Sequence, residues 1–382
     1  MRILIALTYY RPHVSGLTIY AERLGRGLAR RGHHVTVLTS RFDSSLAQRE
    51  LRDGVHVVRV PVARKISKGV VMPRFPARAW SAIRDHDIVN VHMPQLEAPI
   101  LAELGKFLRR PVVLTYQCDL RLPPGVFNRF VERCLAPLNI HAAKRSDAIV
   151  TTSDDYATSS DYLSRYGDKL QTIPPFLDLA EEDPGETRKL VQRWGLERGP
   201  LIGFAARFAA EKGVEVLLAA LPALIVTFPG IRVVFTGAYR DTIGEEAYGE
   251  RLRPALERFA DHLVFLDLLS DRAMPSFFGL CDVLAVTSLN STEAYGLVQP
   301  EAMSCGTPVV ATDIPGVREP VRQTGMGLIV APGDSPALAA AITRILKNPD
   351  EFSRPRASIR AHFDAEHSLD LYEQVFEEAV QR

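Results

Sequence analysis

Two glutamates that stand eight residues apart carry the most distinctive chemistry in the chain. The apolar run 283–286 predicts a strand, Glu293 lies in the loop after it, and Glu301 follows Pro300. Pro300 suits the first position of a helix, because the N–H group that proline lacks would be unpaired there anyway. Carboxylates accept hydrogen bonds from hydroxyls, and a sugar or a ribose offers neighbouring hydroxyls. The alternative is that Glu301 only complements its helix dipole and that Glu293 is a solvated loop charge.

The same stretch also has features that suit a phosphate. A helix N-terminus offers free N–H groups and partial positive charge, and Gly296 lets the backbone approach an anion closely. The loop between a strand and the helix that follows it lies at the carboxyl edge of a parallel α/β sheet, where ligands bind. The stretch therefore predicts a site for a ligand that has both hydroxyls and phosphate.

Arg207 and Lys212 form a second group, in the loop after a predicted strand at 201–206. A planar guanidinium fork and a mobile ammonium together suit a diphosphate. The alternative is a surface charge pair in which Lys212 faces Glu211. Gly16 ends the first loop of the chain at another predicted helix N-terminus, where a phosphate has room to approach. The coincidence of two cations, two carboxylates and Gly16 at one predicted cleft favours ligand binding.

Polar residues also end two predicted strands of the first half. His92 ends the strand at 88–91, and Gln117 and Asp119 follow the strand at 112–115. Both strand ends meet the same edge of a parallel sheet, so His92 and Asp119 are candidates for the acceptor side of the cleft. A lone histidine in such a position is more often structural than catalytic.

The elements that must position these residues alternate strand and helix in both halves. A chain of 382 residues exceeds a single core, and its 46% hydrophobic and 24% charged residues are ordinary for a globular protein. We predict two doubly wound α/β domains, residues 1–175 and 176–365, that face one another across a cleft.

Charge is unevenly divided between the halves. The first 175 residues hold 26 Lys and Arg against 15 Asp and Glu, whereas the rest of the chain hold 20 against 30. The basic half indicates an acidic partner or a membrane surface, unless the two halves simply attract one another. No nucleic-acid partner is expected.

The segment 63–84 mixes basic residues with apolar and aromatic ones, a pattern that suits contact with anionic lipid. It also describes a surface helix whose apolar side packs inward. The residues are Arg64, Lys65, Lys68, Arg74, Arg78 and Arg84, mixed with Ile66, Val70, Val71, Met72, Phe75 and Trp80.

The remaining signals concern location and metal. The four cysteines have no paired short spacing, which favours a reducing cytosol over a disulfide framework or a zinc site. The N-terminus reads as a buried strand, and no run of 18 apolar residues occurs. The Asp85-His86-Asp87 motif lies at the N-terminal end of a predicted strand, which is the edge of the sheet opposite to the one where a metal–diphosphate site would lie. We expect a cytoplasmic protein without a metal, with the inner face of a membrane as a possible location.

Taken together, these residues resemble the family 4 retaining glycosyltransferases of the two-domain GT-B fold. The family's motif of two glutamates separated by seven residues is 293–301 here, and the Arg207…Glu211-Lys212-Gly213 run resembles its donor-phosphate motif. Segments 31–39 and 313–319 resemble the end of the first βαβ unit and the stretch after the motif.

The resemblance implies transfer of a sugar from a nucleoside-diphosphate sugar, with no cofactor beyond that substrate. Arg207 and Lys212 would hold the donor diphosphate. Glu301 would accept hydrogen bonds from the ribose, and Glu293 from the transferred sugar. The acceptor class stays open between a lipid-linked molecule, a glycan and a small molecule.

The resemblance also assigns supporting roles. The amides near Tyr295, Gly296 and Leu297 would cradle the phosphate or the sugar, and Gly16 would cap the phosphate from the first domain. The final helix, 366–382, would pack back on the first domain.

Two departures from the family pattern stand out. Ser15-Gly16 replaces a common pair of glycines, and Gln117 stands where many members have a histidine. Gln117 can bind a hydroxyl but cannot carry a proton, which argues against a general-acid role at this position. The alternative is a non-catalytic or epimerase-like GT-B protein that binds a nucleotide sugar.

Overall fold

The chain divides into two compact units. The computed structural model describes residues 1–66, 69–119, 126–196, 199–239 and 245–382, with only the backbone described for 66, 126–132 and 134. The first unit comprises Met1–Phe176 and Ala365–Arg382, and the second comprises Leu177–Asp364. The sequence placed the domain boundary at 175/176 and the returning helix at 366–382.

The first unit is built on an eight-stranded sheet, with a separate two-stranded hairpin. In chain order its strands are β1 (Arg2–Ala6), β2 (His34–Arg41), β3 (Arg49–Arg52), β4 (Val55–Pro61), β5 (Arg64–Ile66), β6 (Gly69–Val71), β7 (Ile88–Met93), β8 (Val112–Tyr116), β9 (Ala148–Thr151) and β10 (Leu170–Thr172). The sheet order is β10-β9-β8-β7-β1-β2-β4-β3, parallel except for β3, and β5 pairs with β6 to make the hairpin. The central strands are predominantly apolar and, apart from Arg2 at the start of β1, buried along their length, as expected when both faces of a parallel sheet are covered.

The helices of this unit connect the parallel strands. They are α1 (Gly16–Arg30), α2 (Phe75–Arg84), α3 (Ala98–Phe107), α4 (Val126–Arg145) and α5 (Asp154–Ser159), followed by a 3₁₀ turn at Leu163–Lys169. Helix α5 ends at Ser159. Ser160 is extended there, and its hydroxyl donates to Asp119 over 2.9 Å, so the chain leaves the helical path.

The second unit is built on a six-stranded parallel sheet. Its strands are β11 (Leu201–Ala205), β12 (Arg232–Thr236), β13 (Leu263–Phe265), β14 (Val283–Val286), β15 (Val309–Thr312) and β16 (Gly327–Val330), in the order β13-β12-β11-β14-β15-β16. Its helices are α6 (Pro184–Trp194), α7 (Val214–Thr227), α8 (Glu246–Arg258), α9 (Met274–Leu280), α10 (Val298–Ser304), α11 (Glu319–Thr324), α12 (Ser335–Lys347) and α13 (Arg356–His362), with 3₁₀ turns at Ala210–Lys212, Ala260–His262 and Pro349–Phe352. The α/β class with parallel sheets is confirmed in both units.

Helix α10 differs from the prediction at its start. The sequence placed Pro300 first, whereas α10 begins two residues earlier at Val298, with Leu297 as its N-cap. Glu301 still lies in the first turn, and the helix ends before Gly306, whose φ of +92° suits a glycine.

The C-terminal helix α14 (Ala365–Gln381) belongs to the first unit. Leu369, Tyr372 and Phe376 are buried on its inner face. The Tyr372 hydroxyl lies 2.9 Å from the Tyr20 hydroxyl and 3.2 Å from the Thr115 hydroxyl, so the buried tyrosine oxygens are paired. A short polar network therefore anchors α14 beside the central strands.

The basic and apolar segment 63–84 is not one helix. It forms the β5–β6 hairpin followed by α2, and Val70, Met72 and Phe75 are buried, whereas Trp80 is exposed. Lys68 lies outside the described residues. Among the helices that the structure describes, none combines the length and the apolar character that a bilayer-spanning segment needs.

Candidate functional site

Two loops of the second unit leave the sheet side by side. Strands β11 and β14 are parallel neighbours, so the loops that follow them start at the same carboxyl edge. The Leu289 amide donates to the Glu211 carbonyl over 2.9 Å, and the Thr287 hydroxyl donates to the Lys212 carbonyl over 2.8 Å. These bonds join the two loops into one structure.

Gly213 permits this close contact. Its φ of +64° is left-handed, and a Cβ at this position would lie 2.3 Å from the Thr287 carbonyl oxygen. A side chain there would both strain the backbone and push the loops apart. The glycine after Lys212 is therefore needed to hold Lys212 beside the loop that carries Glu293.

The charged side chains of these loops form two ion pairs. The Lys212 ammonium contacts the Glu293 carboxylate, and the Arg207 guanidinium contacts the Glu211 carboxylate. The alternative in which Lys212 faces Glu211 is therefore wrong, because Arg207 takes Glu211 and Lys212 reaches 81 residues along the chain to Glu293. Both side chains of the Lys212 pair are mostly buried, with 22% and 18% exposed. The sequence analysis gave Glu211 no part in ligand binding, although it stands in the motif.

The turn after Glu293 is held by internal hydrogen bonds. The Gln299 amide group donates to the carbonyls of Tyr295 and Val317, each over 2.8 Å, and Gly296 has a φ of +80°. The Tyr295 ring is buried, so the backbone and not the ring is what this residue presents. Glu301 is also buried, in the first turn of α10. The ligand contacts predicted for Tyr295, Gly296, Leu297 and Glu301 stay predictions.

Gly16 opens α1 in the first unit. The Ser15 hydroxyl accepts from the Thr18 amide over 3.2 Å and caps the helix. A Cβ at Gly16 would meet no heavy atom within 4 Å. Arg11 is bonded to Glu22 at 2.6 Å, which ties the preceding loop to α1. The structure thus leaves space beside the backbone at this helix N-terminus, and a phosphate contact at Gly16 stays a prediction.

His92 and Gln117 are close together at the ends of β7 and β8. The Gln117 amide nitrogen lies 3.5 Å from His92 Nδ1. His92 is fully buried, and burial lowers its pKa to about 3, so the ring is neutral at physiological pH. Because His92 is buried, a direct contact between its ring and the acceptor is not expected. The ring instead lies beside the Gln117 side chain and supports it.

Asp119 already has hydrogen-bond partners. One of its carboxylate oxygens accepts from the Tyr116 hydroxyl and from the Ser160 hydroxyl, each over 2.9 Å. Its backbone N–H donates to the Tyr156 hydroxyl over 2.6 Å. The structure therefore shows a residue that organises the loop after β8, and its acceptor role stays a prediction.

Glu97 is a buried carboxyl at this edge that the sequence did not single out. It precedes α3, is only 5% exposed, and its Oε2 has no hydrogen-bond partner among the described residues. Burial raises its pKa from an ordinary 4.5 to about 7. The one available signal was its place between a buried strand and a helix start.

This raised pKa predicts a pH-dependent stability. The folded chain holds a proton on Glu97 between about pH 4.5 and 7 that the unfolded chain has lost, so stability falls as the pH rises through that window. Replacing Glu97 by Gln removes the penalty. We expect the free energy of unfolding of Glu97→Gln, relative to the unmodified protein, to rise by roughly 3 kcal/mol from pH 4.5 to pH 8 in urea titrations. A difference that stays flat with pH would contradict the assignment.

The Asp-x-Asp motif has a structural use. The Asp87 carboxylate accepts from the Arg2 backbone N–H over 2.8 Å and from its guanidinium over 2.7 Å. Asp85 caps the end of α2. In the part of the chain that the structure describes, no three or more His, Cys, Asp or Glu side chains are grouped so as to hold a metal ion.

Two family models match almost the whole chain. One described as glycosyl transferase 4-like domain matches residues 15–175, and one described as glycosyl transferases group 1 matches residues 186–362. Each match falls within one of the two units.

Individual proteins agree with these models. The chain is 27% identical to a GDP-mannose-dependent alpha-(1-6)-phosphatidylinositol monomannoside mannosyltransferase of Mycolicibacterium smegmatis, with 91% of this chain and 90% of the relative covered. It is 26% identical to the O-antigen chain mannosyltransferase C of Escherichia coli, with 97% of each covered. Among solved structures, Anabaena HepE in complex with UDP-glucose is similar, with a TM-score of 0.77, 22% identity and full coverage of both chains.

Proposed function

This chain belongs to the GT-B glycosyltransferases, and we propose that it transfers a sugar from a nucleoside-diphosphate sugar to an acceptor hydroxyl with retention of configuration. Glycosyl transfer from a nucleotide sugar is the activity of its family. The retaining course, the independence from metal and the roles of individual residues are the finer parts of the proposal.

One observation carries the residue assignment. Lys212 and Glu293 come from separate loops and meet as an ion pair at the carboxyl edge of the second sheet, beside Arg207 and Glu211. A donor sugar nucleotide offers a diphosphate to the cations and hydroxyls to the carboxylates. Binding of the donor would exchange each internal ion pair for one phosphate contact and one hydroxyl contact. After the exchange each cation would face a phosphate and each carboxylate would accept hydrogen bonds from hydroxyls, which avoids the high cost of a buried charge without hydrogen bonds.

Catalysis then depends on charge at the leaving group. As the bond between the anomeric carbon and the phosphate oxygen breaks, negative charge grows on the diphosphate. Arg207, Lys212 and amides of the turn at Gly296 would stabilise that charge, since preorganised donors act most strongly where charge develops. We propose that these groups do so without a divalent ion.

The acceptor proton needs a destination. We propose that the acceptor oxygen bonds the anomeric carbon on the face that the diphosphate leaves, and that the acceptor proton passes to the departing phosphate oxygen. Gln117 would orient a hydroxyl without taking its proton, because an amide does not titrate. Glu293 and Glu301 would bind hydroxyls, so neither is proposed as a covalent nucleophile.

The names of similar proteins support the substrate classes that we propose. The M. smegmatis relative is named for GDP-mannose and a phosphatidylinositol mannoside, and the E. coli relative for an O-antigen chain, whereas the HepE structure contains UDP-glucose. We therefore propose a nucleoside-diphosphate hexose as donor and a lipid-linked or glycan acceptor, which also fits the basic first half of the chain.

The test is a donor screen followed by product analysis. Calorimetry with UDP-, GDP-, ADP- and dTDP-sugars identifies the donor, and NMR of the product made from it gives the anomeric configuration. Retention and release of the nucleoside diphosphate are expected. An inverted product would overturn the retaining course. Donor binding accompanied by neither sugar transfer nor donor hydrolysis would favour a non-catalytic binding protein. Epimerised sugar nucleotide would favour an epimerase.

Gly16→Ala tests the phosphate contact in the first unit. A methyl group at Gly16 meets no protein atom within 4 Å, so folding should be unchanged, but it would obstruct a phosphate that approaches the backbone. We expect donor affinity to fall at least about tenfold by calorimetry. Gly167→Ala is a matched control, since a Cβ there also meets no atom within 4 Å. Equal affinities in the two variants would remove Gly16 from the donor site.

A further inference from the structure

Two exposed aromatic side chains touch one another on the surface of the first unit. Trp80 of α2 is 39% exposed and Phe107 of α3 is 72% exposed, and their ring centroids are 5.3 Å apart. Among the exposed large hydrophobic side chains in the described part of the chain, these two are the aromatic ones. Because neither ring is buried, the apolar surface of the pair faces water. An exposed apolar surface of this kind marks a candidate contact site.

Cations lie close to this aromatic pair in the sequence. Arg74 precedes α2, Arg78 and Arg84 lie on α2, Lys106 lies on α3, and Arg109 and Arg110 follow α3. The Arg110 guanidinium donates to the Arg84 carbonyl over 3.4 Å, which ties the two helix ends together. We call Trp80, Phe107 and these six cations the aromatic–basic face.

Few carboxylates offset these charges. Helix α2 contains no acidic residue, and Asp85 just after it pairs with Arg84 at 3.3 Å. On α3, Glu103 is engaged by His141 and by Arg145, which lies 2.8 Å away. The face therefore combines a net positive charge with exposed aromatic rings.

We infer that the aromatic–basic face docks the protein on the surface of an anionic phospholipid bilayer. Tryptophan favours the boundary between headgroups and acyl chains, and arginine and lysine are attracted to anionic headgroups. A soluble acidic protein would satisfy the cations but would not explain exposed rings among them. The inference rests on the proposed function only for the reason to dock, because a lipid-linked acceptor is presented at a bilayer. The docking itself does not depend on the reaction.

Trp80 can report its own docking. The chain has two tryptophans, Trp80 and Trp194, so Trp194→Phe leaves Trp80 as the sole indole. We expect its emission to shift to the blue with vesicles that contain phosphatidylglycerol, but not with pure phosphatidylcholine vesicles, and high salt should reverse the shift. The converse variant, Trp80→Phe, should show no shift from Trp194.

Sedimentation with vesicles tests the face itself. Phe107→Ala and Arg84→Glu should each lower partitioning onto phosphatidylglycerol vesicles at least about tenfold. Val226→Asp is the control, because Val226 is an 83% exposed apolar residue of the second unit, and its partitioning should be unchanged. Donor turnover without vesicles should be intact in all three variants, so loss of membrane binding is distinguishable from loss of the enzyme's activity.

Three results would overturn the inference. The first is the absence of binding to anionic vesicles by the unmodified protein. The second is binding that Phe107→Ala and Arg84→Glu leave unchanged. The third is self-association, measured by sedimentation velocity, that Phe107→Ala abolishes, because it would assign the face to a second copy of the chain.

Discussion

Lys212→Ala is expected to lower kcat/KM for sugar transfer by about 10²- to 10³-fold, the effect of losing one preorganised charge contact at a developing anion. The Lys212 ammonium lies at the carboxyl edge and contacts Glu293. If it stabilises the leaving diphosphate, its contribution grows as the bond to the sugar breaks. The variant should therefore lose more in kcat than in donor affinity, and steady-state kinetics combined with donor calorimetry separates the two.

The structure supplies a matched control for this variant. Lys189 on α6 also pairs with a glutamate, Glu186, at 2.8 Å, but its side chain is 73% exposed. Lys189→Ala removes the same charge and the same kind of ion pair and should leave transfer within about twofold. The exposed Lys189–Glu186 pair contributes roughly 0–1 kcal/mol to stability, so the control variant should remain folded. The Lys212–Glu293 pair is mostly buried, so thermal unfolding of Lys212→Ala is measured beside its kinetics to separate loss of the reaction from loss of the fold. Turnover by Lys212→Ala that matches Lys189→Ala would remove Lys212 from the reaction.

The edge on which these residues lie was predictable, whereas their pairing was not. Loops that follow the parallel strands of one sheet start at the same edge, so the placement of Lys212 and Glu293 on one edge follows from the alternation of strands and helices. The pairing of Arg207 with Glu211 depends on the path of the short 3₁₀ turn, which the sequence pattern does not encode. Burial of His92 and Glu97 depends on packing from elements distant in sequence, so the periodicity of the sequence around each residue gave no sign of it.

Strands with little apolar character were missed for a similar reason. Strand β3 is short and almost wholly exposed, so it lacks the alternation by which a half-buried strand is recognised. It exists because β4 offers it an antiparallel edge. The β5–β6 hairpin lies in the segment 63–84, whose mixture of basic and apolar residues was interpreted as a lipid contact or a surface helix. The long apolar strands in the middle of each sheet were predictable, because their burial on both faces requires nearly continuous apolar sequence.

Phe376→Ala is expected to destabilise the first unit by about 3–5 kcal/mol, the usual cost of truncating a buried phenylalanine. Phe376 lies on α14, is fully buried, and its ring centroid is 5.6 Å from that of Tyr372. Because α14 belongs to the first unit although it ends the chain, the second unit should keep its stability. A loss of this size is a large share of the 5–15 kcal/mol that typically stabilises a protein.

The two tryptophans allow the units to be followed separately. Trp80 lies in the first unit and Trp194 in the second, so urea unfolding monitored in Trp194→Phe and Trp80→Phe backgrounds reports one unit each. Phe376→Ala should lower the midpoint seen by Trp80 and leave that seen by Trp194 in place. Val380→Ala changes a 44% exposed residue of the same helix. It should change the free energy of unfolding of either unit by no more than roughly 0.5 kcal/mol, as an ordinary surface substitution does. Equal shifts in both midpoints would contradict this prediction. They would mean that the loss of one buried ring on α14 destabilises the second unit as much as the first.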